Sequence, residues 1–293
     1  GRLMERLSVR DLAQLRAELE QIAARTPRFQ VMPKNTDGRD FVIGDVHGAF
    51  DEVWKAMQAA GFNRNTDRLF SVGDLIDRGS GSARAGRFLD QPYVYAIPGN
   101  HEAELVEIYL EQDDPCAVVE AVSRINFNGM GWLQATSAKE RADLIKRFAA
   151  LPLAREIHTE RGTVGIVHGE VPRGMDWQTF TSSITAGNKE VIESCLQGRT
   201  RLKTKDDSGV PGVGRLFAGH TPLFDGAARL GNVYAVDTGA VFAELTGRPG
   251  AAMTFADLCF KTGSLTQPRV DGNVRVLDDA TESAFGEYAA PRF

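Results

Sequence analysis

The sequence predicts an α/β fold whose strands deliver polar residues to one shared site. Three observations predict it. Short apolar runs at 41–43, 69–72 and 93–97 alternate with segments long enough for a crossover helix, and such alternation builds a parallel sheet with right-handed crossovers. Each run ends in a polar cluster: Gly44-Asp45-Val46-His47-Gly48, then Gly73-Asp74-Leu75-Ile76-Asp77-Arg78-Gly79, then Gly99-Asn100-His101-Glu102. The second half repeats the pattern, with His168, Gly219-His220-Thr221 and Asp237-Thr238-Gly239 closing further apolar runs. In open α/β sheets, ligands gather at the carboxyl ends of the strands.

The remaining elements follow in order. Ser8 and Asp11 form a capping pattern ahead of Leu12, Leu15, Leu19 and Ile22, which fall on one helical stripe. Residues 1–30 therefore read as a helical extension, packed on the body or offered to a second copy for self-association. Pro27 and Pro33, with 34–39, read as a linker. Residues 48–60 carry Phe50, Val53, Trp54 and Met57 at helical spacing and end at Gly61; Trp54 and Met57 are expected in the core. Residues 82–89 and 102–110 read as two more helices. Residues 113–150 read as mostly helical, broken over 126–132 by Gly129 and Gly131, and form either a cap beside the site or connecting bulk.

Strands are expected at 163–167, 215–218, 232–236 and 251–258. The loop 202–214, with Asp206, Asp207 and its glycines, reads as exposed and mobile. The stretch 247–252 reads as an excursion before the last strand. From Gln267 onward, polar residues and glycines suggest a loosely held tail. The domain reading is thus 1–34 extension and linker, 35–265 catalytic domain, and 266–293 tail.

Composition narrows the classes of partner. The 293 residues are 42% apolar, enough for one large globular domain or slightly more. A net charge of -5 gives no electrostatic case for nucleic acid. No apolar run approaches the ~18–20 residues of a membrane span. Nothing at the start reads as a signal peptide, and Gly1 without Met reads as a processed or tagged terminus. Cys116, Cys195 and Cys259 are far apart and odd in number. They form no disulfide framework and no zinc spacing, which fits a reducing cytoplasm.

The chemistry lies in the histidines. Of five, His47, His101, His168 and His220 stand at strand ends beside glycines, while His158 reads as an ordinary surface residue. With Asp45, Asp74 and Asn100 they make a metal-binding set. Oxygen and imidazole donors without thiolate suit manganese, iron or zinc. The set is too large for one catalytic ion that must keep open positions, but suits two. Two divalent ions bring four positive charges, and Asp45 and Asp74 offset two. A net of about +2 is left for hydroxide and a phosphate dianion. Arg78 stands ready to clamp phosphate oxygens.

At these residues the sequence resembles the PPP family of metal-dependent protein phosphatases, in particular its bacterial and phage branch. The likeness rests on the three clusters above and on Val167-His168-Gly169, Gly219-His220-Thr221-Pro222 and Val236-Asp237-Thr238-Gly239-Ala240-Val241. Leu151-Pro152-Leu153 adds to it, and the whole covers roughly 40–258. The resemblance implies a calcineurin-like metallophosphoesterase fold, a two-sheet β-sandwich flanked by helices. It implies that Asp45 and His47 hold a first metal, that Asp74 bridges, and that Asn100, His168 and His220 hold a second. A hydroxide between the metals would attack phosphorus directly. His101, oriented by Asp77, would protonate the leaving oxygen. Arg78 would bind phosphate together with Asn100, His101 and a second arginine, for which Arg199 is the first choice and Arg201 the fallback. The implied partner is a phosphoprotein bearing phosphoserine or phosphothreonine, with phosphotyrosine open.

The chain departs from that branch at Glu170, where an Asp is usual; Glu170 either supports the residues behind the ligands or faces solvent, the latter being slightly preferred. Pro222 stands where nucleases and purple acid phosphatases carry a further histidine, which argues against both. Symmetrical diadenosine tetraphosphate hydrolases resemble the first cluster but usually lack the counterpart of Asp77. Small phosphoesters remain the alternative substrates. A non-catalytic phosphate-binding module is the alternative of another class.

Overall fold

A computed structural model describes residues 4–125, 130–259 and 269–277. Its first helix, α1 (Val9–Arg25), starts where Ser8 accepts a hydrogen bond from the Asp11 amide and buries Leu12, Leu15, Leu19 and Ile22. The stripe packs against two later helices, α4 (Asn100–Glu111) and α7 (Ala138–Ala149). The linker expected next is not one throughout. Phe29–Met32 forms β1 and pairs in parallel with β5 (Ala154–Thr159), a strand absent from the sequence reading.

From β2 (Asp40–Ile43) the expected alternation appears: α2 (Phe50–Ala59), β3 (Arg68–Ser71), a short 3-10 helix (Ser80–Arg84) running into α3 (Ala85–Leu89), β4 (Val94–Ala96) and α4. The helical segment holds α5 (Pro115–Ile125), α6 (Met130–Gln134) and α7; Gly129 lies outside the described residues, and Gly131 sits within α6. Then come β6 (Gly162–Ile166), α8 (Trp177–Thr185), α9 (Lys189–Gln197), α10 (Thr200–Thr204), β7 (Arg215–Ala218), β8 (Ala228–Leu230), β9 (Val233–Ala235), α11 (Ala240–Thr246) and β10 (Met253–Asp257). Part of the expected tail is ordered sheet: β11 (Arg269–Asp271) and β12 (Val274–Leu277) form a hairpin, and β12 pairs in parallel with β10. The rest of that tail lies outside the described residues.

The strands form two six-stranded sheets, ordered β1-β5-β6-β7-β9-β8 and β11-β12-β10-β2-β3-β4. The parallel order read from sequence holds in the middle of each: β2, β3 and β4 run together, as do β6, β7 and β9. The flanking strands make both sheets mixed, since β10 is antiparallel to β2 and β5 to β6. Side chains alternate across each strand. Val42, Phe70, Ile166, Phe217 and Tyr234 therefore meet between the sheets. Phe41, Ile43 and Leu69 point the other way, under α1, α2, α4 and α7. Leu216 and Val233 pack under α8 and α9, against Trp177 and Phe180. The architecture is the helix–sheet–sheet–helix sandwich that the resemblance implied.

Three local expectations are corrected. Trp54 is 55% exposed and lines a surface groove of ≈ 530 Å³ with Met57, Phe62, Phe88 and Tyr93. The buried stripe of α2 instead takes Ala56 with Val53 and Met57. The loop 202–214 begins in α10 and is pinned rather than loose, because Val210 and Val213 are buried. The Asn232 side chain accepts from the Val210 amide and donates to the carbonyls of Val210 and Val213. Glu170 is buried and not solvent-facing; its carboxylate accepts from the amides of Thr200 and Arg201 at 3.2 and 2.9 Å. None of the described helices is long and apolar enough to cross a membrane.

Candidate metal centre

Two sets of three parallel strands, one in each sheet, end at one place. Asp45 follows β2, Asp74 follows β3, Asn100 follows β4, His168 follows β6, His220 follows β7 and Asp237 follows β9. Most of these residues line one cavity of ≈ 150 Å³, together with His47, Arg78, His101, Arg199 and Phe242. The turns that present them are strained. His47, Asp74, Asp77, Arg78 and His220 have φ of 46, 56, 73, 69 and 73°, a left-handed conformation that side-chain-bearing residues seldom adopt. Two motif glycines are explained by close approach. A Cβ on Gly99 would lie 2.0 Å from Asp74 Oδ1, and one on Gly219 2.2 Å from Asp45 Oδ1.

The imidazoles are aimed by backbone carbonyls, which can only accept. His47 Nδ1 donates to Ile76 O at 2.8 Å, and His168 Nδ1 to Val72 O at 2.7 Å, so each turns Nε2 into the site. His47 Nε2 lies 3.9 Å from Asp45 Oδ2 and 3.6 Å from Asp74 Oδ2, too far for hydrogen bonds. His168 Nε2 lies 3.2 Å from the same Asp74 oxygen and 3.0 Å from Asn100 Oδ1. At His220, the Gln197 carbonyl at 3.1 Å and Arg199 Nε at 3.0 Å compete for Nε2. The neutral ring satisfies one at a time, and a proton on Nε2 leaves Nδ1 bare.

Two groups of side chains could each hold an ion: His47, Asp74 and His101, and Asp74, His168 and His220, with donor atoms within 4.8 Å of one another. Asp74 belongs to both. The electrostatics fit a cation. Burial, then Asp237 and Asp74, push the Asp45 carboxyl well above the usual range. Burial likewise raises Asp237 to about 6. These carboxylates crowd one another, and bound divalent ions would offset that. Burial holds His47 and His220 at about 4, so both are neutral and ready to ligate. At His168 burial opposes charge, but Asp74 outweighs it and raises the pKa, so a proton competes with a cation there.

His101 differs from the other three. Its Nδ1 lies 2.7 Å from Asp77 Oδ2, and its own amide donates to Asp74 Oδ1 at 3.1 Å. Burial works against its charge, but Asp74 and the Asp77 hydrogen bond raise its pKa to about 9. The arginines separate as well. Arg199 opens into the cavity, whereas Arg201 is buried and bound to the carbonyls of Val171, Pro172 and Gly209. Arg78 is exposed at the rim, its guanidinium 5.5 Å from the Phe242 ring.

Three residues acquire roles that the sequence reading did not assign. Asp237 lines the cavity beside Asp45 and raises its pKa; its place at a strand end before Gly239 was the available signal. Glu102 is buried, and its carboxylate accepts from the amides of Asp74, Leu75 and Gly99, which locks the second and third clusters together. Trp132, from α6, donates to Asp77 Oδ1 at 2.8 Å. Nothing in its local sequence pointed there.

Comparison with known proteins agrees with this geometry. The calcineurin-like phosphoesterase pattern matches residues 41–237. The chain is 30% identical over 206 residues to serine/threonine-protein phosphatase 1 of Salmonella typhimurium, covering 69% of this chain and 87% of that protein. It is 24% identical over 285 residues to the symmetrical bis(5'-nucleosyl)-tetraphosphatase of Cellvibrio japonicus, covering 78% and 97%. A crystal structure described as that of a "putative diadenosine tetraphosphatase" shares the fold, with a TM-score of 0.54 and 18% identity over 80% of this chain and 94% of that one. Fold and site together define a metal-dependent phosphoesterase with a dinuclear centre. The chain belongs to the calcineurin-like phosphoesterase family.

Proposed function

We propose that this phosphoesterase is a phosphomonoesterase acting on phosphoserine and phosphothreonine in proteins. The observation that carries the reading is the Asp77–His101 pair at 2.7 Å. A seryl or threonyl oxygen leaves poorly as an alkoxide and needs a proton delivered as the bond to phosphorus breaks. A nucleoside phosphate leaves as a stable anion and needs none. A histidine oriented by a dedicated carboxylate, and kept protonated by Asp74 and Asp77 together, is therefore apt for an alcohol leaving group. The likeness to serine/threonine-protein phosphatase 1 supports the same reading.

The residues divide the work. Asp45, His47, Asp74, Asn100, His168 and His220 would hold two divalent ions, with manganese the first candidate and iron or zinc accepting the same donors. Bound there, the ions would supply Lewis acidity and an acidified water. The protein's own groups do the rest. Arg78 and Arg199 bind the phosphoryl oxygens from two sides of the cavity. With its proton on Nε2, His220 donates to Gln197 and leaves Arg199 free to turn to the phosphate. Asp77 holds His101 Nδ1, so the proton on Nε2 faces the leaving oxygen. Asn100 joins His101 in binding the substrate phosphate. The free cysteines fit a reducing cytoplasm.

A second reading, hydrolysis of diadenosine tetraphosphate or another small phosphoester, is supported by the relative matched over 97% of its length. The two are separated by rates on phosphoserine and phosphothreonine peptides and on diadenosine tetraphosphate, with manganese, iron and zinc added singly. The expected order places the peptides first in kcat/KM. The reverse order would sink the protein-phosphatase reading and leave a phosphoesterase.

A further inference from the structure

The helices α5 to α7 supply none of the candidate metal ligands, yet one of their side chains reaches the reacting groups. Trp132 on α6 is 5% exposed, and its indole Nε1–H donates to Asp77 Oδ1 at 2.8 Å. The other oxygen of that carboxylate, Oδ2, holds His101 Nδ1 at 2.7 Å. We propose that Trp132 is a positioning residue for phosphomonoester cleavage. Its indole N–H fixes the Asp77 carboxylate so that His101 presents its proton to the leaving oxygen. The inference rests on the reading of His101 as general acid.

Three observations carry it. The first is chemical. An indole nitrogen is a donor only, so the bond has one sense: it occupies Oδ1 and leaves Oδ2 to accept from the imidazole. The second is conformational. Asp77 and Arg78 sit at φ of 73 and 69°, where a backbone turn is poorly self-supporting. A side-chain tether from outside the turn holds the carboxylate plane in place. The third is mechanical. Arg141 of α7, 2% exposed, donates to the carbonyls of Leu133 and Thr136 at 3.1 and 2.7 Å, and also to that of Glu5. Leu133 is buried in the core, and α6 packs on the 3-10 helix that follows the Asp77-Arg78-Gly79 turn. The indole is thus held from both sides of its own helix and cannot swing out without breaking buried contacts.

The test replaces Trp132 by benzothienylalanine, an isostere in which sulfur stands for the N–H, and in parallel by Phe. His101→Asn serves as the reference. Each protein is assayed with saturating manganese on monoesters of increasing leaving ability, from a phosphoserine peptide through phenyl phosphate to dinitrophenyl phosphate. The isostere is expected to keep its melting temperature and metal content. Its kcat on the phosphoserine peptide should fall about 10-fold at unchanged KM, the scale of a lost hydrogen bond to a charged group. On dinitrophenyl phosphate, which leaves without a proton, the loss should stay under about twofold. His101→Asn should show the same bias more strongly, and in an Asp77→Asn background the Trp132→Phe change should add little. A loss equal across the series, or no loss, while His101→Asn keeps its bias, overturns the role of Trp132 alone. No bias in His101→Asn overturns the general acid and this proposal with it.

Discussion

The two parallel three-strand units deliver their ligands differently. In the first, β2 to β4, the ligands come in compact clusters that brace one another. His47 is oriented by Ile76 O, and Asp74 and Gly99 are tied through Glu102. In the second, β6, β7 and β9, the ligands stand singly and are oriented largely by the first. His168 is aimed by Val72 O, and the His220 amide donates to both oxygens of Asp45. The first unit carries its geometry within its own loops. The second acquires its geometry only when the sheets pack. A centre that needs both units is thereby coupled to completion of the sandwich.

The largest expected effect comes from the residue both units share. Asp74 approaches His47 at 3.6 Å and His168 at 3.2 Å through one oxygen. Asp74→Asn should reduce turnover to background and release both metals, read by elemental analysis beside activity. Full activity with two ions bound would refute the shared role.

Next comes the proposed phosphate clamp, for which Arg199 lines the cavity. Arg199→Ala should lower kcat/KM on a phosphopeptide about 10- to 100-fold, the worth of a charge-assisted hydrogen bond or slightly more, with the melting temperature unchanged. Arg201→Ala should do the opposite. It removes three buried bonds to carbonyl oxygens and contacts to Asp206. It should therefore lower the melting temperature more than it changes KM. If Arg201 rather than Arg199 governed KM, the two assignments would exchange.

The smallest effect on chemistry is expected from α1, which lies over the outer face of the first unit. Leu19 has no exposure. Leu19→Ala should cost about 2–5 kcal/mol in a denaturant melt, the range for a leucine removed from a core, with kcat unchanged on the folded fraction. A cost near zero would mean that α1 is not part of the body.

Legibility in the sequence followed the same division. The 44–102 clusters were readable because a tight turn that presents ligands needs glycine, aspartate and histidine at fixed offsets. Asp77, Arg78 and His101 were readable for the same reason. The short strands β1, β5 and β8 were not, since each lies at or near a sheet edge where the alternation is weak: β1 reads half-buried, exposed, exposed, buried. Glu170 was misjudged because its partners, the amides of Thr200 and Arg201, lie thirty residues on. Trp54 was misplaced because it is a large aromatic at helical spacing, and periodicity cannot say how far round a helix the body will cover it. Trp132 was not placed at all, because its partner Asp77 lies 55 residues away.

By itself, then, the sequence determined the strand–helix alternation and marked the candidate ligands, because these depend on local spacing and on donor chemistry. The tertiary structure decided that His168 and His220 face Asp74. It also decided that Arg199 and not Arg201 opens into the cavity, and that Trp132 rests on Asp77. Each of these depends on segments far apart in the chain, and only the packing of two sheets and the helices between β4 and β5 brings them together.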